Sequence, residues 1–396
     1  MLMYIGALLM DMMCFLVGFA VLYGAGERHM TQAQCAWIGA AMQMTYMPFS
    51  FLVGYVLSRR NARALLFIGT VGAMGVGVSA LFCTGFRAIF ILLLFFGMFG
   101  AFFFNSFQTY MRSETPPGGL NRAVANYTLA WSVGIGLGFC LSGSAYRLGP
   151  AGLAAMAAAA GLAILAIVFL REARPHDEAS ADEHVEQGPE GSRPVDSRYV
   201  IVGWIMIFAA CFVQRPIQTF FPALCAQEKI SPYLASLPLF LMMFIQAGAG
   251  FAMTWFRAIL YRRTALWVIQ IGGAAALAVI WRFPAYPSFL VGFCLAVLGI
   301  YLGFVFFCAV YYASNDFAHR SRNVGVNELL VGAGSLAGIF VCKTCMSHGT
   351  QGAQQVLNGI PSVQSAPLLY AVCAAALVIF TAAQVIIASI GGAGRK

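Results

Sequence analysis

Charge is scarce in this chain. Asp, Glu, Lys and Arg supply 9% of its 396 residues, while 61% are apolar. An ordinary globular protein carries about 25% charged residues, so a water-soluble fold is excluded. Ten-residue stretches of alternating polarity are missing, which excludes a membrane β-barrel. No GxxxxGK[ST] loop occurs, so the chain has no nucleotide-driven motor of its own. Histidine is rare, with five in all. His29, His176, His184 and His319 fall on loops without metal-like spacing, and no Ser/His/Asp set stands out. An integral membrane enzyme is therefore a distant reading, and no cofactor is expected. The net charge of +9 comes from basic residues scattered over short loops. They form no binding stripe, which argues against a nucleic acid partner.

What is present is a series of apolar runs, each long enough to cross a hydrocarbon core of about 30 Å. Twelve spans are expected: 1–23, 33–57, 64–83, 89–109, 123–147, 151–170, 199–225, 233–256, 264–282, 288–312, 324–343 and 367–390. Short connections make neighbouring helices antiparallel. Helices are required because backbone polar groups in lipid must be satisfied within their own segment. The first run is too long and Met-rich for a cleavable signal. Placing the N-terminus in the cytoplasm puts sixteen Lys and Arg inside and six outside, with Arg215 within a span. That bias orients both termini inward, with Glu27 and His348 outside. The expected location is a bacterial inner membrane.

Between spans six and seven, residues 171–198 hold eight acidic and four basic side chains with little apolar content. Such a stretch should be a disordered cytoplasmic linker. It divides the chain into bundles of six helices, 1–170 and 199–396. The two also look like repeats. An offset of 202 pairs Tyr110 with Tyr312, Glu114 with Asp316, Asn126 with Glu328 and Gly136 with Gly338. Duplication of a six-span unit is the organisation expected of secondary transporters.

After span two the chain reads Gly54-Tyr55-Val56-Leu57-Ser58-Arg59-Arg60-Asn61-Ala62-Arg63. This resembles the signature loop of the major facilitator superfamily, and the resemblance extends over essentially the whole length. Gly54, Arg59 and Arg63 match that signature. Ser58 stands where the family usually has Asp, and Asn61 where it usually has Gly. Span five, with Gly134, Gly136 and Gly138, resembles the family's Gly-rich fifth helix but lacks the Gly-Pro pair of many antiporters. The resemblance implies two pseudo-symmetric bundles around a central cavity and secondary active transport of a small solute by alternating access. It also implies a cytoplasmic latch that uses the loop after span two, altered here by the loss of Asp. A non-transporting sensor or assembly factor of the same architecture is the alternative. The protein is expected to work as a monomer in the lipid bilayer.

Ionisable groups inside spans are costly and are functional candidates. Asp11 lies about 15 Å along span one, near the midplane. Proton coupling, pairing with Arg215 and substrate contact all fit it. Arg215, in span seven, is followed by Pro216, where a helix break is expected. Its guanidinium could fork onto an anion or snorkel to the outer interface. Glu328 lies near the cytoplasmic end of span eleven, as a second proton site or a gate partner opposite its repeat mate Asn126. Gln43, Tyr46, Trp131, Gln218, Gln246 and Tyr301 are neutral cavity candidates. Gly54, Arg59, Arg63, Asn126 and Glu328 are candidates for the cytoplasmic gate. Eleven cysteines sit mostly in spans as small apolar residues. Cys342 and Cys345, with His348 nearby, form the only cluster, read as packing residues one helical turn apart or as a metal or redox pair.

Overall fold

The computed structural model describes residues 2–114, 120–170, 197–256, 259–260, 262–284, 286–315, 320–354 and 365–389. Twelve α-helices are found there: α1 (Leu2–Glu27), α2 (Gln32–Val56), α3 (Arg59–Phe82), α4 (Phe86–Glu114), α5 (Leu120–Ala145), α6 (Gly149–Leu170), α7 (Ser197–Gln227), α8 (Pro232–Ala252), α9 (Arg263–Arg282), α10 (Phe289–Asn315), α11 (Arg320–Gln354) and α12 (Ser365–Ser389). A 3₁₀ turn, Tyr146–Leu148, separates α5 from α6. The linker expected over 171–198 lies outside the described residues except at 197–198.

Ten described stretches are long and apolar enough to span a bilayer, and one of them, Arg122–Phe169, runs through both α5 and α6. Eleven helices qualify in this way. The exception is α2, whose apolar character is diluted by Gln34, Gln43, Thr45, Tyr46 and Ser50. A helix can afford polar side chains when neighbouring helices, rather than lipid, surround it. Two boundaries differ from the sequence expectation. Helix α11 continues past 343 to Gln354, because a fall in hydropathy ends a span without ending a helix. Helix α8 stops at Ala252, short of the expected 256, and turns follow at 253–255. The break expected at Pro216 is absent: α7 runs unbroken through Pro216 and Pro222. Packed neighbours allow a membrane helix to tolerate the lost backbone hydrogen bond.

Packing repeats between the halves. Helix α1 packs on α5 and α6 as α7 packs on α11 and α12. Helix α2 packs on α4 as α8 packs on α10, and α3 on α6 as α9 on α12. The halves meet through α1 with α7, α2 with α11, and α5 with α8. Glycines let these backbones close up. A Cβ on Gly138 would lie 2.6 Å from the Met12 carbonyl oxygen, and one on Gly338 would lie 2.2 Å from that of Phe212. Likewise Gly134 abuts Leu8 and Asp11, while Gly334 abuts Phe208 and Cys211.

These contacts correct the repeat register. In α1/α7, α2/α8 and α5/α11 the equivalent residues are 200 apart, whereas Gly97 and Gly299, packed on Met42 and Met242, are 202 apart. The uniform offset of 202 thus holds for α4/α10 but not for α1/α7, α2/α8 or α5/α11. It follows that the structural mate of Glu328 is Thr128, not Asn126, and that of Gly338 is Gly138, not Gly136. The two-residue difference falls between α10 and α11, where a single offset misaligns everything beyond.

Candidate functional site

A cavity of about 1420 Å³, measured out to its open side, lies where α1, α2, α4, α5, α7, α10 and α11 face one another. Seven sequence candidates line it: Asp11, Gln43, Tyr46, Trp131, Arg215, Gln218 and Glu328. Asp11 is 8% exposed, and its Oδ2 is buried without a hydrogen-bond partner. The Arg215 guanidinium lies 5.2 Å from the centre of the Phe15 ring, a cation–π arrangement. Its Nη1 donates to Gln218 Oε1 at 3.2 Å, while its Nε is buried and unpartnered. The guanidinium is therefore inside the cavity, and the snorkelling alternative is overturned: Phe15 and Gln218 hold it there.

Equivalent positions supply this chemistry unequally. Asp11 is opposite Cys211 in the repeat, and Phe15 is opposite Arg215, so the cation–π pair joins two repeat mates across the α1–α7 contact. Gln43 Oε1 and Asn327 Oδ1 are further buried atoms on the lining without partners. Aromatic side chains share the rest of the wall with aliphatic ones such as Ile38 and Val310. Trp131 meets Phe306 edge-on at 4.9 Å, and Tyr46 meets Phe104 at 6.3 Å. An enclosure of this kind can hold a small solute by its rings while a few polar atoms fix its orientation.

Two candidates lie off the cavity. Gln246 is fully buried behind its wall. It accepts from Gln214 Nε2 at 3.1 Å and donates to Ser132 Oγ at 3.0 Å, tying α7, α8 and α5 together. Tyr301 turns instead towards α9, where its ring packs against Gly273. Sequence reasoning missed Asn327, Thr219 and Phe306 on the lining. Asn327 was recoverable from its place beside Glu328 at the start of an apolar span; Phe306 carried no signal that separates it from core.

Among the described side chains, the gate candidates do not converge. Gly54 is exposed, with nothing close to it. Arg63 Nη2 donates to the Phe169 carbonyl at 3.3 Å, which ties α3 to the end of α6 inside one half. The Arg59 side chain lies outside the described residues. Asn126 is half-buried and off the cavity. The unusual residues of the loop have a local use. Ser58 caps α3, accepting from the Asn61 N–H at 3.4 Å, and Asn61 Oδ1 accepts from the Ser58 N–H at 2.7 Å. This reciprocal capping box satisfies two otherwise orphaned donors. The Cys342 cluster also reads differently in three dimensions. Cys342 Sγ faces Cys373 Sγ of α12 at 3.9 Å, and no group of three metal-ligating side chains occurs among the described residues.

The fold is shared with solved transporters. A point mutant of the nucleoside transporter NupG matches with a TM-score of 0.68 at 12% identity, covering 97% of this chain and 99% of that one. NupG itself matches with a TM-score of 0.63 at 13% identity, covering 98% and 99%. A bacterial homologue of the human lysosomal transporter Spinster, in an inward-facing and unoccupied conformation, matches with a TM-score of 0.62 at 12% identity over 98% and 95%. At these identities the likeness is one of fold. No curated protein matches the sequence significantly. The family model for the Major Facilitator Superfamily matches residues 3–339. With that match, the repeated helix packing and the cavity between the repeats, the chain belongs to the Major Facilitator Superfamily.

Proposed function

We propose that this protein carries a small solute across the membrane by alternating access to the central cavity, coupled to a proton through Asp11 and Glu328. Residues 1–170 and 199–396 then move as two bodies joined by a cytoplasmic linker over 171–198, with both termini inside. The observation that carries this reading is that Asp11 Oδ2 and Arg215 Nε, on two residues lining the cavity, are both buried without hydrogen-bond partners. A buried polar atom without a partner costs about 1–3 kcal/mol. Such a cost is offset when a solute or a proton arrives. A proton on Asp11 removes a negative charge from the cavity that it lines together with Arg215, leaving the guanidinium to grip an acceptor on the solute. Release of the proton reverses the exchange. Proton and solute are thereby coupled through Asp11 and Arg215, with Glu328 on the same lining as the second proton site.

Melting-temperature screening of the purified protein against solute classes would identify a ligand, because binding raises the stability of the folded state. Counterflow of that ligand in proteoliposomes then tests transport. We expect exchange in the wild type. In Asp11→Asn, exchange should persist while accumulation driven by a pH gradient is lost, and Glu328→Gln is the parallel variant. Absence of counterflow with a proven ligand would defeat the transporter reading. Full accumulation in both variants would defeat the coupling.

A further inference from the structure

The turns at one end of the cavity are built alike. Just beyond the end of α1, His29 has φ 52°, and just beyond the end of α7, Lys229 has φ 56°. These are the only described residues other than glycine with positive φ. Around each, the same pair of hydrogen bonds closes the helix. His29 N–H donates to Gly26 and Met30 N–H to Ala25; Lys229 N–H donates to Ala226 and Ile230 N–H to Cys225. This is a Schellman ending. Thr31 and Ser231 then cap α2 and α8 at once. The carbonyls of Met30 and Ile230 are thus presented at matching points, between one helix ending and the next beginning.

Each carbonyl receives a side chain from the opposite half. Tyr23 Oη donates to the Ile230 carbonyl at 2.7 Å, and Gln227 Nε2 donates to that of Met30 at 3.5 Å. Between them, a Cβ on Gly26 would lie 2.3 Å from the Ala223 carbonyl oxygen, so the α1 and α7 backbones touch there. Deeper in the cavity wall, Gly39 presses on Thr219 just as closely.

We infer that Tyr23 and Gln227 form a reciprocal latch that holds the cavity shut at the α1–α2 and α7–α8 end. A main-chain acceptor suits a latch. It stays on the turn whatever the side chain there, and the Schellman ending holds it in place before the partner half arrives. Both donors are neutral, so the latch is insensitive to salt and to the proton gradient, and it can be opened by forces of the size of a binding event. Two neutral hydrogen bonds shift an opening equilibrium without locking it. Tyr23 and Gln227 act on the conformational balance and are positioning residues, not solute ligands. The inference rests on the alternating-access reading, but its test requires no transported solute.

The reporter is Ile38→Cys, on the cavity wall beside Gly39. Its reaction with a membrane-impermeant maleimide is followed by peptide mass spectrometry, so that the native cysteines stay in place. Right-side-out and inside-out vesicles fix the face from which it is reached. Tyr23→Phe keeps the ring against Phe19 and Tyr146 and removes only the hydroxyl. We expect it to raise labelling from the face of the α1–α2 turn about threefold to tenfold. Gln227→Leu, which breaks the longer contact, should raise it about twofold. Gly26→Leu should raise it most, by forcing the helices apart. Unchanged labelling in both Tyr23→Phe and Gln227→Leu would overturn the latch, even if Gly26→Leu has its effect, since closure would then be packing alone. If Gly26→Leu does not accumulate, Tyr23→Phe decides by itself. A loss of transport with labelling unchanged would count against the latch and leave the transporter reading standing.

Discussion

Helices α1 and α7 hold equivalent places in the two repeats, yet they share little chemistry. Their backbones are used alike: Met12 and Phe212 offer carbonyls to Gly138 and Gly338, and Leu8 and Phe208 do the same for Gly134 and Gly334. Their cavity-facing side chains diverge. Asp11 faces Cys211 in the repeat, Phe15 faces Arg215, and Gly18 faces Gln218. In the proposed alternating-access cycle the two halves need matching helix spacings, and spacing is set by glycines and carbonyls. A site that orients a solute lacking twofold symmetry gains from unlike groups on the two sides. Symmetry is therefore kept where backbones touch and given up where side chains meet the cavity.

The largest expected effect breaks the shared part. Gly138→Leu and Gly338→Leu each drive a side chain into a carbonyl. Overpacking of this kind costs about 1–3 kcal/mol and sometimes more. Both variants should melt well below the wild type, by similar amounts. A tolerated substitution in one half alone would show that the repeats are not held together in the same way.

A narrower test addresses the unlike part. Arg215→Lys keeps the charge but loses the planar fork, and it should lose most transport, roughly tenfold or more, while folding normally. In a double-mutant cycle with Asp11→Asn, read as ligand affinity, a coupling of about 1 kcal/mol or more is expected, within the range for interacting groups. Wild-type affinity in Arg215→Lys would remove the forked contact from the site. A coupling near zero would separate Arg215 from Asp11.

The smallest effect concerns polar residues away from the cavity. Gln270 and Gln384 exchange amide hydrogen bonds of 2.7 and 3.0 Å between α9 and α12, and Thr381 adds a third of 3.2 Å. Such side chains act as glue between helices. Gln270→Leu alone should cost about 1–3 kcal/mol by leaving its partner unsatisfied, and the double change Gln270→Leu with Gln384→Leu should recover much of that. Melting temperatures separate the two. A transport defect in the folded double variant would mean that asymmetry of function extends beyond the cavity.

How much of this was legible beforehand depended on whether the signal was local. Hydropathy marks a span from some twenty consecutive residues, so the helices were readable, and so were Asp11 and Arg215, since a charge in an apolar run stands out. Polar residues in spans were harder to sort. Gln218 and Gln246 look alike in sequence, yet one lines the cavity and the other bridges three helices behind it. A difference of a few residues on a helix changes which neighbour a side chain meets. Ser58 and Asn61 read as losses from a signature, while their mutual capping was visible only as geometry.

By itself the sequence determined that the chain is a bundle of membrane-spanning helices, that it is internally duplicated, and that a few ionisable groups are carried into the span region. Composition and periodicity act along the chain, and lipid imposes the helix on any sufficiently apolar run. Only the tertiary structure decided the repeat register, the turn of Cys342 towards Cys373, and the meeting of Arg215 with Phe15. It also decided the exchange of Tyr23 and Gln227 across the closed end. Each of these depends on helices distant in sequence coming within a few ångströms, and that is set by which glycines let which backbones approach.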